Sequence, residues 1–481
     1  MGHLITDESI SIDISVNKLF ASHIGIFGNT GSGKSHTLAT LYKNLFLKFK
    51  DKNRFRDNAK FLLFDFNGEY SNNTSITSQK KVYNLSTHTR EGGDKIPLSP
   101  EDILTPELFF ILASATEKTQ QPFIKRAIRR YREYCCQDPR KENKNELYKV
   151  KEKLQSLLMR ILSTGNRVLS DTALAYLESV LSHETDLRSG LGWHSYHNCF
   201  YVGNEKKLYS NDLELSEFCK STKFYDAIEH LKIDSDFISW ITKYLYIQLI
   251  DDILSNRAQS EHIAPAISKL KSLSRDFSKV FSITTNIEET SIWEKRKPLV
   301  VINLDKVSTS MKKLIPLLLS HKCYQEHKNE KSEVVTKSLN IIIDEAHNIL
   351  SYESSRESET WKDFRLETFE EIIKEGRKFG VFLTIASQRP SDISPTIISQ
   401  LHNYLIHRLI NNRDIEMVEK AISYLDKISI ETLPILPAGA CVLSGIIADL
   451  PLILQVDRLS EEEQPKSQTI PLSKYWSDTA P

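Results

Sequence analysis

The sequence predicts an α/β fold, a mainly parallel sheet interrupted by a large all-helical insertion. Three observations predict it. A glycine-rich loop, GNTGSGKS at residues 28–35, lies where a short apolar strand passes to a helical stretch. Two apolar runs that end in acids, FLLFDFNGEYS (61–71) and NIIIDEAHNIL (340–350), stand far apart in the chain. Between residues 116 and 295 the short strands give way to long, charged, amphipathic stretches at helical spacing.

Composition bounds the answer further. A prior of roughly 150 residues per domain divides 481 residues into two or three units, or one large domain with an insertion. Lys+Arg and Asp+Glu are both 63, so no global field draws the chain to nucleic acid or to an anionic membrane, and any DNA contact must come from local basic surface. No apolar run approaches the ~20 residues of a spanning helix, which argues against a membrane protein. The cysteines (Cys135, Cys136, Cys199, Cys219, Cys323, Cys441) form no CxxC, and MGHLITDESI has neither the basic nor the apolar part of a secretory signal. Free thiols in a reducing cytoplasm are the expectation. His194, His197 and Cys199 in WHSYHNCF could tempt a metal reading. A fourth ligand at suitable spacing is missing, so we read that aromatic-rich segment as packing surface.

Taken in order, DESISIDISVNKLFASH alternates briefly and leads into the strand HIGIFG. TLATLYKNLFLKF has helical spacing and FLLFDF is the next strand, which together make a βαβ unit and imply parallel pairing. QQPFIKRAIRRYREYC, NELYKVKEKLQSLLMRIL and DFISWITKYLYIQLIDDIL carry the helical insertion. Strands resume at PLVVINLDKV (298–307), LNIIIDEAH (339–347), VFLTIASQRP (381–390), YLIHRLI (404–410), GACVLSGI (439–446) and PLILQVDRL (451–459). The expected organisation is a lead-in at 1–20, a core at 21–115, the insertion at 116–295, the second part of the core at 296–460 and an extended arm at 461–481.

The loop GNTGSGKS matches G-x-x-x-x-G-K-[ST] in the strand-to-helix context that gives the pattern its meaning. Gly28, Gly31 and Gly33 let the backbone curl so that N–H groups of Asn29, Thr30, Ser32 and their neighbours through His36 face phosphate oxygens. Lys34 would reach the outer phosphates of ATP, and the Ser35 hydroxyl would take one position on Mg²⁺. Such a loop needs a strand-end carboxylate for the Mg²⁺ shell and a group that orients water. IIIDEAH supplies both side by side, Asp344 for the metal and Glu345 for the water. In FLLFDFNGEY, Asp65 stands at a similar place but Glu69 follows across an Asn-Gly turn, so this pair is read as accessory to the nucleotide pocket or as a strand with a solvated turn. VFLTIASQRP ends in Ser387, Gln388 and Arg389; a glutamine there can report on the γ phosphate, with Arg389 as a possible accessory. In EEIIKEGRKFGV, Arg377 is either a helix C-terminal charge or a guanidinium placed on a neighbouring chain's nucleotide.

These pieces, HIGIFGNTGSGKSHT, FLLFDFNGEYS, IIIDEAHNIL, EGRKFGVFLTIASQRPSDIS, IHRLINNRDIE and LPAGACVLSG, resemble the HerA-type branch of the FtsK–HerA superfamily of RecA-like motor ATPases. The resemblance covers roughly 20–115 and 296–460. It implies a RecA-like P-loop core, a ring that is usually a homohexamer, ATP at subunit interfaces, double-stranded DNA through the centre, and a partner nuclease or other effector. It also implies that Lys34, Ser35, Asp344, Glu345, Gln388 and Arg377 serve ATP turnover. HerA-type proteins usually carry a small β-barrel ahead of the motor, whereas only residues 1–20 stand there in this chain. The expected function is an ATP-hydrolysing DNA translocase acting with a nuclease in end processing or anti-phage defence. The alternative is an ATP-dependent scaffold that gates an effector, such as a nuclease or a sirtuin-like enzyme, with little translocation. The basic run KRAIRRYREYCC is a candidate DNA contact or a solvated helix face.

Overall fold

Apolar runs such as LVVIN and LNIII are continuous rather than alternating, as strands covered on both faces require. The computed structural model describes residues 1–88, 92–135, 144–181, 186–203, 212–330, 335–353, 359–422 and 425–466. It divides into two compact units, Met1–Ile96 with Ser291–Pro481, and Pro97–Thr290.

The first unit is built on an 11-stranded sheet. We number its strands β1 (Gly2–Leu4), β2 (Asp7–Ser11), β3 (Ile24–Phe27), β4 (Ala59–Asp65), β5 (Lys80–Ser86), β6 (Leu299–Lys306), β7 (Ser338–Ile343), β8 (Val381–Ser387), β9 (Asn403–Ile406), β10 (Ala440–Gly445) and β11 (Ala448–Val456). Their spatial order is β2-β1-β11-β10-β9-β3-β8-β7-β4-β6-β5. From β9 to β5 every neighbouring pair is parallel. The other edge, β10, β11, β1 and β2, is antiparallel. The chain thus has a mixed, largely parallel α/β core. Because parallel strands all run one way, the loops after β3, β4, β7 and β8 emerge at the same edge of the sheet, and this places the site. The helix Lys34–Lys48 covers one face. Leu38, Leu41, Tyr42 and Leu45 bury on it against Ile24, Ile26, Phe61 and Leu63, and Tyr42 Oη lies 2.7 Å from Thr384 Oγ1 on β8.

Three features differ from the sequence reading. The expected lead-in at 1–20 contains β1 and β2, which extend the sheet because β1 pairs with β11. β5, with the sequence KKVYNLS, was not expected: it is an edge strand whose lysines and asparagine hide the period-two signal. The second unit starts at Pro97 rather than at 116 and is not wholly helical, since Leu191–His194 and Cys199–Val202 pair antiparallel in a hairpin. Within that unit the long helices Gln120–Cys135, Lys144–Ser163, Arg167–Leu181, Phe237–Leu254 and Ser260–Val280 pack around Ile241, Leu245, Leu249 and Ile250. His194 Nδ1 accepts the His197 N–H at 3.4 Å inside the hairpin turn. Residues 467–481 of the expected arm and Cys136 lie outside the described residues.

Candidate nucleotide site

Residues 28–33 turn from β3 into the helix Lys34–Lys48. Gly31 and Gly33 hold φ of +75° and +110°, where a side chain would strain the backbone. At Gly33 a Cβ would also lie 2.9 Å from Gly439 Cα, and at Gly28 one would lie 2.5 Å from His407 Cβ. The loop is pinned from both sides. The Gly28 N–H donates to the Ser387 carbonyl at 3.2 Å, the Asn29 N–H to that of Arg408 at 2.9 Å, and the Gly439 N–H to that of Ser32 at 2.9 Å. Among the described residues no carbonyl takes the N–H of Gly31, Gly33, Lys34 or Ser35. These donors gather at the positive end of a 15-residue helix, an arrangement suited to a polyphosphate. The Ser32 hydroxyl is buried there without a partner.

β7 delivers the acid pair one strand away from β3, with β8 between them. Lys34 Nζ lies 2.8 Å from Glu345 Oε1 and 3.5 Å from Asp344 Oδ1. Burial works against the ammonium, yet Asp344 and Glu345 outweigh it and hold the Lys34 pKa above its ordinary value. Asp344 is fully buried; burial pushes its pKa up and Glu345 adds to this, against the pull of Lys34. Its Oδ1 accepts the Glu345 N–H at 3.0 Å, while its Oδ2 is buried and unpartnered.

Glu345 Oε2 lies 3.3 Å from His347 Nδ1, which is also 3.3 Å from Ser387 Oγ. Burial, then the charges of Lys34 and Arg389, push His347 down to about 4, so its ring is neutral at neutral pH. Gln388, next along from Ser387, accepts the Thr30 hydroxyl at 2.6 Å and so touches the phosphate loop directly. Arg389 is mostly exposed, 4.0 Å from Asp392.

β4 brings the remaining acids. Both Asp65 oxygens are occupied, Oδ1 by the Glu69 N–H at 2.9 Å and Oδ2 by the Tyr70 N–H at 2.8 Å. Burial nonetheless pushes Asp65 up to about 7. The aspartate therefore shapes the turn, and the turn sets Glu69 against the Ser35 hydroxyl. Burial and then Asp344 raise the Glu69 pKa, while Ser35 and Asn67 oppose the rise. From outside, the Lys466 N–H donates to the Glu69 carbonyl at 3.0 Å, and Lys43 pairs with Glu463.

Ser35, Glu69 and the unpartnered Asp344 Oδ2 are oxygen donors of the kind a hard divalent cation takes, so the residues fit Mg²⁺. Among the described residues no group of three His, Cys, Asp or Glu forms a metal cage by itself. The agreement is chemical: Mg²⁺ at a phosphate loop draws most of its ligands from phosphate and water.

One sequence-predicted residue is not brought in, and of another only the N–H is at the loop: the His36 ring is bonded to the Asp457 carbonyl at 2.9 Å. Arg377 lies in the turn Gly376–Phe379 that precedes β8, whereas Gln388 follows β8, so at ~3.3 Å per residue the strand separates them by about 20 Å. Arg377 instead stands near His23 and His402, whose pKa values are depressed first by burial, with the Arg377 charge adding to it. Sequence reasoning missed His347, Ser387, His407 and Gly439. The histidine of DEAH was in view without an assigned role. His407 is fully buried, its Nδ1 2.8 Å from the Ala440 carbonyl, and nothing local in IHRL marks it as a wall of the loop.

The chain is similar to known proteins over most of its length. The chain is 22% identical over 483 residues to the probable DNA double-strand break repair helicase HerA of Methanocaldococcus jannaschii, covering 95% of this chain and 76% of that one. It is 22% identical over 464 residues to the HerA helicase of Sulfurisphaera tokodaii, covering 95% and 69%. Among solved structures, VirB4 of Thermoanaerobacter pseudethanolicus superposes with a TM-score of 0.47 at 13% identity, over 96% of this chain and 97% of that one. The family model described as "Helicase HerA, central domain" matches residues 1–323, which take in β1 through β6, the phosphate loop and the whole inserted unit. Because that match takes in well over half of the chain, the protein belongs to the HerA helicase central-domain family.

Proposed function

We propose that the protein is an ATPase that couples ATP hydrolysis to movement of DNA, working as a ring of identical subunits with a nuclease or comparable effector. The observation that carries the chemistry is the position of Glu345, 2.8 Å from Lys34 and one strand from the phosphate loop. A polyphosphate drawn onto the loop N–H groups exchanges Lys34's carboxylate partners for phosphate oxygens and leaves the Glu345 carboxylate to accept a proton from an in-line water. His347 Nδ1 stands 3.3 Å from its second oxygen, and Gln388, tied to Thr30, senses the phosphate that departs. Mg²⁺ would be held by Ser35 and Asp344 with Glu69 beside them, and when bound it offsets the charge on the phosphates. The relatives named DNA repair helicases support DNA as the substrate.

In the full chain, Glu345→Gln should keep ATP affinity and lose turnover by roughly 10²-fold or more, whereas Lys34→Ala should weaken binding itself. Wild-type turnover should rise on adding double-stranded DNA, with displacement of a DNA-bound roadblock. Normal turnover by Glu345→Gln would overturn the chemistry; a rate indifferent to DNA with no displacement would overturn the motor.

A further inference from the structure

The run KFKDKNRFRDNAK at 48–60 sorts its side chains by kind. Phe49 and Phe55 stack with ring centres 5.3 Å apart, and Phe55 also meets Phe46 and Phe61 of the core. Lys48, Lys50, Lys52 and Arg54 stay exposed. The helix Lys34–Lys48 runs away from the phosphate loop, so its end and the run that leads into β4 lie at the opposite edge of the sheet, where the parallel strands begin. β6 begins beside β4, with Leu299 opposite Phe61, and is entered through a second basic segment, EKRK at 294–297. The Phe61 N–H donates to the Pro298 carbonyl at 2.8 Å, and Lys60 Nζ lies 5.2 Å over the Trp293 ring, so the two segments adjoin.

Together they hold nine lysines and arginines against three acids, in a chain whose formal net charge is +0. Glu294 is taken by Lys297 at 2.8 Å. Among the described residues no carboxylate forms an ion pair with Lys48, Lys50, Lys52, Arg54, Lys295 or Arg296. Lys295 and Arg296 are the tip of a turn closed by the Lys297 N–H on the Glu294 carbonyl at 3.1 Å, and both are exposed. Arg296 holds φ of +64°, at the turn position that favours glycine or asparagine. A strained backbone that presents an unpaired guanidinium to solvent directs it to a partner outside the fold. Protein interfaces are poor in lysine and centre on apolar side chains, whereas neither segment exposes a large apolar side chain. Clustered lysine and arginine without such a centre suit a phosphate backbone. β4 and β6 stand two and three strands from β8, roughly 10–15 Å at ~4.8 Å a strand, so the patch is separate from Arg377.

We propose that this edge of the sheet, away from the phosphate loop, is a contact surface for the phosphate backbone of duplex DNA. The choice of DNA rests on the proposed function; the surface rests on the placement of the two segments. In the full chain, Lys50→Gln, Arg54→Gln, Lys295→Gln and Arg296→Gln combined should weaken binding of a short labelled duplex by roughly tenfold or more, followed by fluorescence anisotropy. The slope of log affinity against log salt should fall by roughly 3–4, at about 0.9 for each phosphate contact removed. ATP turnover measured without DNA should keep its wild-type value. Arg296→Gly alone should raise the thermal midpoint and still weaken the duplex, which separates lost contact from lost folding. Equal affinity and slope in the wild type and the fourfold variant overturn the surface and leave the DNA reading standing. Weaker binding with an unchanged salt slope also overturns it, since phosphate contacts carry that slope. A wild-type chain that binds no duplex overturns both.

Discussion

Glu345 holds φ of +47°, a region that costs a residue with a Cβ roughly 1–2 kcal/mol. The neighbouring contacts sustain it, with the Ala346 N–H on the Ala386 carbonyl at 2.8 Å and Lys34 on the carboxylate. Strain at the proposed water-activating acid has a measurable sign: Glu345→Gly should be more stable than Glu345→Ala by about 1 kcal/mol, the reverse of the usual order for this pair, as read from denaturant midpoints. His23 makes a second residue-scale case. It is fully buried and its Nδ1 accepts the Leu383 N–H at 2.9 Å. Burial, then His402, push its pKa from 6.5 to about 3. Between those values the unfolded chain binds a proton that the folded chain does not, so this contribution is complete above pH 6.5 and is lost as pH falls toward 3. From pH 7 to pH 5 the loss is about 2 kcal/mol. In His23→Asn the change in urea midpoint between these pH values should be correspondingly smaller; an unchanged difference would refute the assignment.

At the scale of elements, the turn after β4 shows how a motif acts through its fold. Asp65 resembles a strand-end metal ligand in sequence, yet its oxygens are consumed by the Glu69 and Tyr70 N–H groups. Its effect reaches the site through the turn. Asp65→Ala leaves two buried N–H groups without acceptors and should cost roughly 2–4 kcal/mol. Hydrogen exchange at Glu69 and Tyr70 should accelerate and ATP turnover should fall, whereas a direct ligand role would spare the exchange. Two of the four arginines of KRAIRRYREYCC likewise meet buried acids: Arg126 pairs with Asp252, and Arg130 approaches Asp251.

For the whole molecule, the decisive fact is that β8 carries Gln388 at one end and Arg377 before the other, so one chain cannot place both on one nucleotide. Under the proposed ring, Arg377 serves the neighbouring subunit. Arg377→Ala and Glu345→Gln chains should each be inactive alone. Mixed in equal amounts they should recover about one quarter of wild-type turnover, since one interface in four then joins an intact Arg377 to an intact Glu345. Mixtures that stay inactive would remove Arg377 from the reaction.

The sequence by itself determined what is chemically local: the phosphate loop at 28–35, the Asp344–Glu345 pair, the parallel strands between them and the long helices of the insertion. Each is legible because short-range sterics and period-specific burial write their requirements into neighbouring residues. Only the tertiary structure decided that His407 and Gly439 wall the phosphate loop, that His347 stands beside Glu345 and Ser387, and that Asp65 works through a turn. It also decided that a polar edge strand closes the sheet at β5 and that Arg377 lies away from its own chain's site. Most of these are contacts between residues tens to hundreds of positions apart, or backbone bonds of a strand edge, and neither leaves a periodic mark on the local sequence; the Asp65 turn and the Glu345–His347 contact are local, but they depend on side-chain directions that residue types alone do not set.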